Sequence, residues 1–319
     1  MSAVGRKDAV IEVRGLTKRY GPTLAVDDLT FDVQPGRVTG FLGPNGAGKS
    51  TTMRLILGLD VPNMGTATVA GRPYRSFRRP LFDVGATLES GSVHPGRTAR
   101  RHLQSLAAAN GIGSARVDVV LDMVGLTSVS GRRAGGFSLG MHQRLGVAAA
   151  LLGDPAVLVL DEPANGLDPE GIVWMRSLLR SLASEGRTVF VSSHLMAEMA
   201  LTADHLIVIG RGRLLADTTV ASFVQRNAPG PVRVRSPMAA RLADVLTATG
   251  AEVTHEADGA FTVRGADAAT IGELAFTHSV PIHELSPQGA SLEQAFIELA
   301  GGSADYQAHT PQGDETGNP

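Results

Sequence analysis

The chain has 319 residues, 43 % of them apolar, and its 29 basic and 31 acidic side chains leave a net charge of −2. That length suits roughly two domains with their own cores, and the near-neutral balance argues against a surface built to coat nucleic acid. Cysteine is absent, which removes disulfides, thiolate nucleophiles and thiolate-bound metals.

The N-terminus, MSAVGRKDAVIEV, lacks the apolar core of a secretory signal. The longest apolar runs, such as Ala156–Leu160, are far too short to span a bilayer. The expectation is a soluble, cytoplasmic protein that depends on another chain for any work in a membrane. Ile11–Arg14 and Thr66–Ala70, with turns at Gly21–Pro22 and Gly71–Arg72, read as an antiparallel β flank. Val38–Leu42, Val84–Leu88, Val157–Leu160, Thr188–Val191 and Leu206–Ile209 are near-continuous apolar runs. Such runs are expected for strands covered on both faces. They alternate with helical patterns over Lys49–Leu57, Arg101–Ala109, Leu139–Leu152 and Val173–Ala183, which predicts an α/β domain over residues 8–225.

Arg226–Pro231 (RNAPGP) reads as a linker. Beyond it come a strand at Val232–Arg235, a helix at Ala239–Thr249 and strands at Glu252–His255 and Phe261–Arg264 joined at Asp258–Gly259. A helix at Ala268–His278, a strand at Pro281–Leu285 and a helix at Ser291–Leu299 complete the series. The order β-α-β-β-α-β plus a helix predicts a small ferredoxin-like α+β domain over residues 231–300. The polar, Gly/Pro-rich residues 301–319 are expected to be disordered.

Gly43–Thr52 reads GPNGAGKSTT, between a predicted strand and a predicted helix. Glycine, four variable residues, glycine, lysine and serine let backbone N–H groups approach phosphates, with the helix N-terminus adding its positive end. The candidate phosphate-binding residues are Gly43, Pro44, Asn45, Gly46, Ala47, Gly48, Lys49, Ser50 and Thr51. Lys49 reaches the β and γ phosphates, and the Ser50 hydroxyl is a Mg²⁺ ligand. Downstream, AVLVLDEP places Asp161 at the end of an apolar strand, as a second Mg²⁺-holding group. Glu162 follows it, placed to orient and polarise an attacking water. Read in isolation, Asp161 and Glu162 are two solvated loop acids; beside a phosphate loop they form a hydrolytic site. The only lysines are Lys7, Lys18 and Lys49, so the Asn-Lys-x-Asp element that reads guanine is absent and the nucleotide is read as ATP.

Phe137–Leu145 (FSLGMHQRL) opens a long helix between these two motifs. Taken alone it is a helix start with Ser138 as N-cap. In this place it resembles the Leu-Ser-Gly-Gly-Gln signature, followed by x-Gln-Arg, of the ATPase subunits of ATP-binding cassette (ABC) transporters. Ser138, Gly140, Gln143 and Arg144 match, whereas Phe137, Leu139 and Met141 depart from the pattern. The resemblance covers roughly residues 8–220. It implies a P-loop NTPase core of ABC type, with an antiparallel β flank and a helical signature subdomain. It further implies that Ser138 and Gly140 touch phosphate and that Tyr20, in KRYG, stacks on adenine. The loop Asn165–Pro169 (NGLDP), with Asp168, resembles the segment that crosses between two subunits, and His194 the switch histidine at the γ-phosphate. Glu89 stands where most members carry a Mg²⁺-sensing glutamine; a glutamate can ligate the ion but, when ionised, donates no hydrogen bond.

FSLGMHQR, Glu89 and the C-terminal SLEQAFIEL resemble the ATPase subunits of bacterial drug, antibiotic and lantibiotic exporters of the daunorubicin- and bacitracin-resistance type. The resemblance implies two copies that close head to tail on ATP and drive a separate integral membrane permease from its cytoplasmic face, with no nucleic-acid partner. Two alternatives stand beside it: a soluble ABC-type ATPase acting on ribosomes or nucleic acid, and a regulatory ATP-binding module. The single cassette and the absence of zinc-binding cysteines count against the first. Glu162 and His194 count against the second.

Overall fold

The computed structural model describes residues 10–88, 93–227, 230–256, 258–288 and 292–302. The chain divides into two compact units, Met1–Val220 and Ala221–Pro319.

The first unit opens with the hairpin β1 (Ile11–Tyr20) and β2 (Thr23–Val33), followed by β3 (Val38–Leu42), α1 (Lys49–Ile56), β4 (Met64–Val69) and β5 (Val84–Thr87). A helical segment follows, with α2 (Ala99–Ala109), α3 (Ala115–Met123) and α4 (Leu139–Leu151). Then come β6 (Val157–Leu160), α5 (Pro169–Ser184), β7 (Thr188–Ser193), α6 (Met196–Thr202), β8 (His205–Gly210) and β9 (Arg213–Thr219). Six strands form a sheet in the order β5-β6-β7-β3-β8-β9, all parallel except the edge strand β9. The central strands β3, β6 and β7 are buried at every position, as the apolar runs predict. A second sheet, β2-β1-β4, is antiparallel.

The two sheets share one core. Phe31 on β2 lies 5.7 Å from Phe41 on β3 and 5.9 Å from Phe190 on β7, ring centroid to centroid. Phe41 and Phe190 are 5.0 Å apart. All three rings are buried, and burying each contributes about 1.5–3 kcal/mol. The triad fixes β2, β3 and β7 against one another and so fixes the ends of the two central strands.

In the helical segment, the only tryptophan, Trp174 on α5, donates its indole N–H to the Met123 carbonyl at 3.3 Å. The Arg144 guanidinium of α4 lies 4.1 Å from the centre of its ring and donates to the Val124 carbonyl at 3.0 Å. One arginine thus ties α4 both to α5 and to the end of α3.

α7 (Val220–Asn227) begins at the last residue of the first unit and runs into the second. The second unit contains β10 (Val232–Arg235), α8 (Ala239–Ala248), β11 (Glu252–His255) and β12 (Phe261–Arg264). It continues through α9 (Ala268–Thr277), β13 (Glu284–Pro287) and α10 (Leu292–Gly302). Its sheet runs β11-β12-β10-β13, antiparallel throughout, which is the ferredoxin-like order. Alternation does the sorting. Val232, Val234, Phe261 and Val263 enter a core with Leu242, Leu246 and Ile271. Arg233 lies on the opposite face among Glu256, Asp258 and Glu284, and those acids push its guanidinium pKa up. Ser291 and residues 303–319 lie outside the described residues.

Candidate functional site

Because β6, β7 and β3 are neighbours and parallel, their C-terminal ends lie side by side. Open α/β sheets bind ligands at that edge. β3 leads into Gly43–Gly48, β6 into Asp161–Glu162 and β7 into His194, so the three motifs meet because the strands do.

Gly48 is the N-cap of α1, with φ of 104° and no side-chain cap. A Cβ there would lie 2.4 Å from the Ala25 carbonyl oxygen, and one at Gly43 would lie 2.5 Å from that of Ile209. No side chain fits either place, and the loop borders a cleft of about 240 Å³. Pro44, Asn45, Gly46, Gly48, Lys49, Ser50 and Thr51 line it, together with Ala25 and Glu162. An uncapped helix N-terminus with glycines on its approach is suited to an anion. Lys49 donates to the carbonyls of Gly43 at 2.7 Å and Pro44 at 3.3 Å and lies 3.8 Å from a Glu162 carboxylate oxygen. Burial pushes its ammonium pKa down, while Glu162 and Asp161 oppose that shift. A phosphate arriving here would supply the negative charge that burial makes valuable.

Asp161 is 8 % exposed. Its N–H donates to the Thr87 carbonyl at 2.8 Å, and its carboxylate accepts from the Ser192 hydroxyl. The same Ser192 oxygen accepts the Glu162 N–H at 2.9 Å. Glu162 has φ of 49°, and its carbonyl accepts from the Gln143 amide at 2.8 Å. One Glu162 carboxylate oxygen accepts from the His194 N–H at 3.2 Å and lies 2.7 Å from His194 Nδ1. Glu162 therefore sits between Lys49 and His194 at the mouth of the cleft. The oxygen donors of Ser50 and Asp161 are the hard ligands Mg²⁺ takes; that ion is usually held by one or two protein groups plus phosphates and water.

The signature residues lie elsewhere on the surface. Ser138 is exposed and caps α4, accepting the Met141 N–H at 3.2 Å. Neither Ser138 nor Gly140 lines the cleft. A Cβ on Gly140 would lie 3.3 Å from the Gly166 carbonyl oxygen, so the start of α4 rests on the Asn165–Pro169 loop. Asp168 in that loop caps α5 through the Gly171 N–H at 2.8 Å. Tyr20 ends β1, 44 % exposed, with its hydroxyl donating to Asp60 at 2.8 Å and the Lys18 ammonium 4.8 Å from its ring centre. It too is outside the lining of the phosphate cleft. Glu89 lies outside the described residues.

Three contributors escape sequence reading. Ala25 offers only a backbone carbonyl. Ser192 precedes the histidine motif without belonging to it. Gln143 marks the signature, but its bond to Glu162 has no sequence signal of its own.

A phosphate loop, a strand-end acid pair and a histidine on neighbouring parallel strands define a nucleotide-hydrolysing cassette. A family model described as ABC transporter matches residues 26–165. An uncharacterized ABC transporter ATP-binding protein of Bacillus subtilis, YhcH, is 34 % identical over 309 residues, covering 94 % of this chain and 99 % of its own. The bacitracin transport ATP-binding protein BcrA of Bacillus licheniformis is 42 % identical over 221 residues, 68 % of this chain and 72 % of its own. A solved ATP-binding subunit of an ABC transporter superposes with TM-score 0.62 at 26 % identity, covering 68 % of this chain and 92 % of that one. The chain belongs to the ABC transporter ATP-binding family and is a transport-coupled ATPase. Residues 230–293 match a second model, described as a domain of unknown function. Among the described residues no helix is long and apolar enough to cross a membrane.

Proposed function

We propose that two copies of this chain close head to tail on ATP and drive a separate integral membrane permease. The cargo is a drug, antibiotic or peptide, and export is the direction. The observation that carries the dimer is the incomplete cleft. Its lining includes the phosphate loop and Glu162 but no residue of the signature, which is exposed at the start of α4. A second copy supplies Ser138 and Gly140 to each nucleotide. Similarity to the bacitracin transport protein, and to a lantibiotic transport ATP-binding protein of Streptococcus pyogenes at 34 % identity over 208 residues, supports the cargo class. The working place is the cytoplasmic face of the membrane, reached through the permease.

In this reading Tyr20 stacks on adenine, and Gly43–Thr51 cradle the phosphates with Lys49 on the β and γ groups. Ser50, Asp161 and Glu89 would hold Mg²⁺, which would neutralise phosphate charge. Glu162 takes a proton from the attacking water as the water oxygen bonds to the γ-phosphorus and the bond to the ADP oxygen breaks. His194 fixes the Glu162 carboxylate and meets the γ-phosphate, and Asp168 lies in the loop that crosses between the copies.

Mixing two defective chains tests the arrangement. Lys49→Ala and Ser138→Arg homodimers should each fail to retain labelled ATP, because both sites of each carry a defect. In the mixed dimer one site combines the intact Lys49 of one copy with the intact Ser138 of the other, and retention should return. Demonstrated mixed dimers that retain no nucleotide, with the permease present, would refute the head-to-tail site.

A further inference from the structure

Glu162 is a non-glycine residue in the left-handed region, with φ of 49°, and such a backbone persists only where its surroundings over-determine it. Both ends of its backbone are held by side chains. The Ser192 hydroxyl accepts the N–H at 2.9 Å. The Gln143 amide, from α4, donates to the carbonyl at 2.8 Å, and the same oxygen accepts the Asn165 N–H at 3.1 Å, so Gln143 supplies the one side-chain bond to it among the described residues. A carbonyl oxygen can only accept, so the Gln143 side chain must turn its NH₂ towards it. Gln143 is 4 % exposed, which fixes that geometry against solvent competition. Gln143 lies outside the cleft lining, and its amide is turned inward to the Glu162 carbonyl.

We infer that Gln143 is a positioning residue: by bonding the Glu162 carbonyl it holds the peptide whose side chain is aimed between Lys49 and His194. The inference rests on the reading of Glu162 as the group that activates water. Misplacing a catalytic group by about 1 Å can cost roughly a hundredfold in rate.

The test uses the full chain in four forms: wild type, Gln143→Met, Glu162→Gln and the double variant. Methionine keeps the length of glutamine in a buried place and removes its amide group, the donor to Glu162 included. Gln143→Glu is the second variant, nearly isosteric, and faces the carbonyl with an oxygen in place of the NH₂. Nucleotide affinity and far-ultraviolet circular dichroism establish that each variant is folded. Gln143→Met and Gln143→Glu should keep KM for ATP within about twofold while kcat falls roughly ten- to a hundredfold. In the Glu162→Gln background, Gln143→Met should lower the residual turnover no further, since residues acting through one group are not additive. Wild-type kcat in a folded Gln143 variant would overturn the inference, as would an equal further loss in the Glu162→Gln background. In either case an inactive Glu162→Gln would leave the reading of Glu162 standing. Near-normal turnover of Glu162→Gln itself would overturn both.

Discussion

Ser192 serves two residues with one oxygen. It accepts the Glu162 N–H and donates to the Asp161 carboxylate, and it is fully buried. Ser192→Ala leaves both partners without that bond in a place water does not reach. The expected cost is about 1–3 kcal/mol of stability per unsatisfied group, with a fall in kcat larger than any change in KM. Thermal melting and steady-state kinetics on one preparation check both, and an unchanged melting temperature would count against this account. At this scale the motif residues were legible because their chemistry is in their side-chain types and spacing: Lys49 and Ser50 in the phosphate loop, Asp161 and Glu162 after an apolar strand. Ser192, Gln143 and Ala25 were not. Their work is done on, or by, backbone atoms of segments distant in sequence, and a serine in a strand looks the same whether or not a carboxylate lies beside it.

The elements follow their hydrophobic period where that period is clean. The runs behind β3 and β6 have the predicted bounds, and β7 continues through Ser192 and Ser193 because these pair with Phe41 and Leu42 of β3, with the Ser192 hydroxyl bonded to the Asp161 carboxylate. β2 has no counterpart among the predicted strands. Asp27 and Asp28 interrupt its alternation, and the structure accommodates them with φ of 53° at Asp28 and an ion pair from Asp27 to Arg213 at 2.6 Å. α7 continues through Asn227 into the predicted linker. The last strand of the second sheet begins at Glu284 rather than Pro281, since its pairing with β10 runs from Arg235 opposite Glu284 to Val232 opposite Pro287. α9 shows how a cap links an element to pH. Asp267 accepts the Thr270 N–H at 2.8 Å, and bonds from Thr270 hold its carboxyl below the ordinary carboxylate value. A folded pKa below the unfolded one gives stability that is complete above the ordinary value and is lost as pH falls through the folded one. Asp267→Asn keeps an accepting oxygen and cannot titrate, so the drop in melting temperature from pH 5 to pH 3 should be smaller than in wild type. An identical drop would show that this cap does not report on acid.

At the scale of the molecule, each unit has its own core: one group of buried residues ends at Ile209 and the other begins at Val232. The strand and helix order of the second unit was legible from its periodicity, and in the first unit the continuously apolar strands were, but β2, β9, α3 and α6 were not; strand neighbours depend on contacts across the chain that no local pattern carries. Every residue lining the phosphate cleft precedes residue 163. Removing residues 230–319 should therefore leave a folded protein that binds ATP, with the unfolding transition of the second unit gone from a calorimetric scan. A folded truncation that no longer binds ATP would make the second unit part of the site. The stacking of Arg144 on Trp174 has a practical side. With one indole in the chain, all tryptophan emission has a single origin, where α3, α4 and α5 meet. The guanidinium over the ring and the Met123 carbonyl at its N–H set the colour and yield of that light. A turn of α4 against α5 changes both, so unlabelled protein carries an optical gauge of the helix that bears the signature.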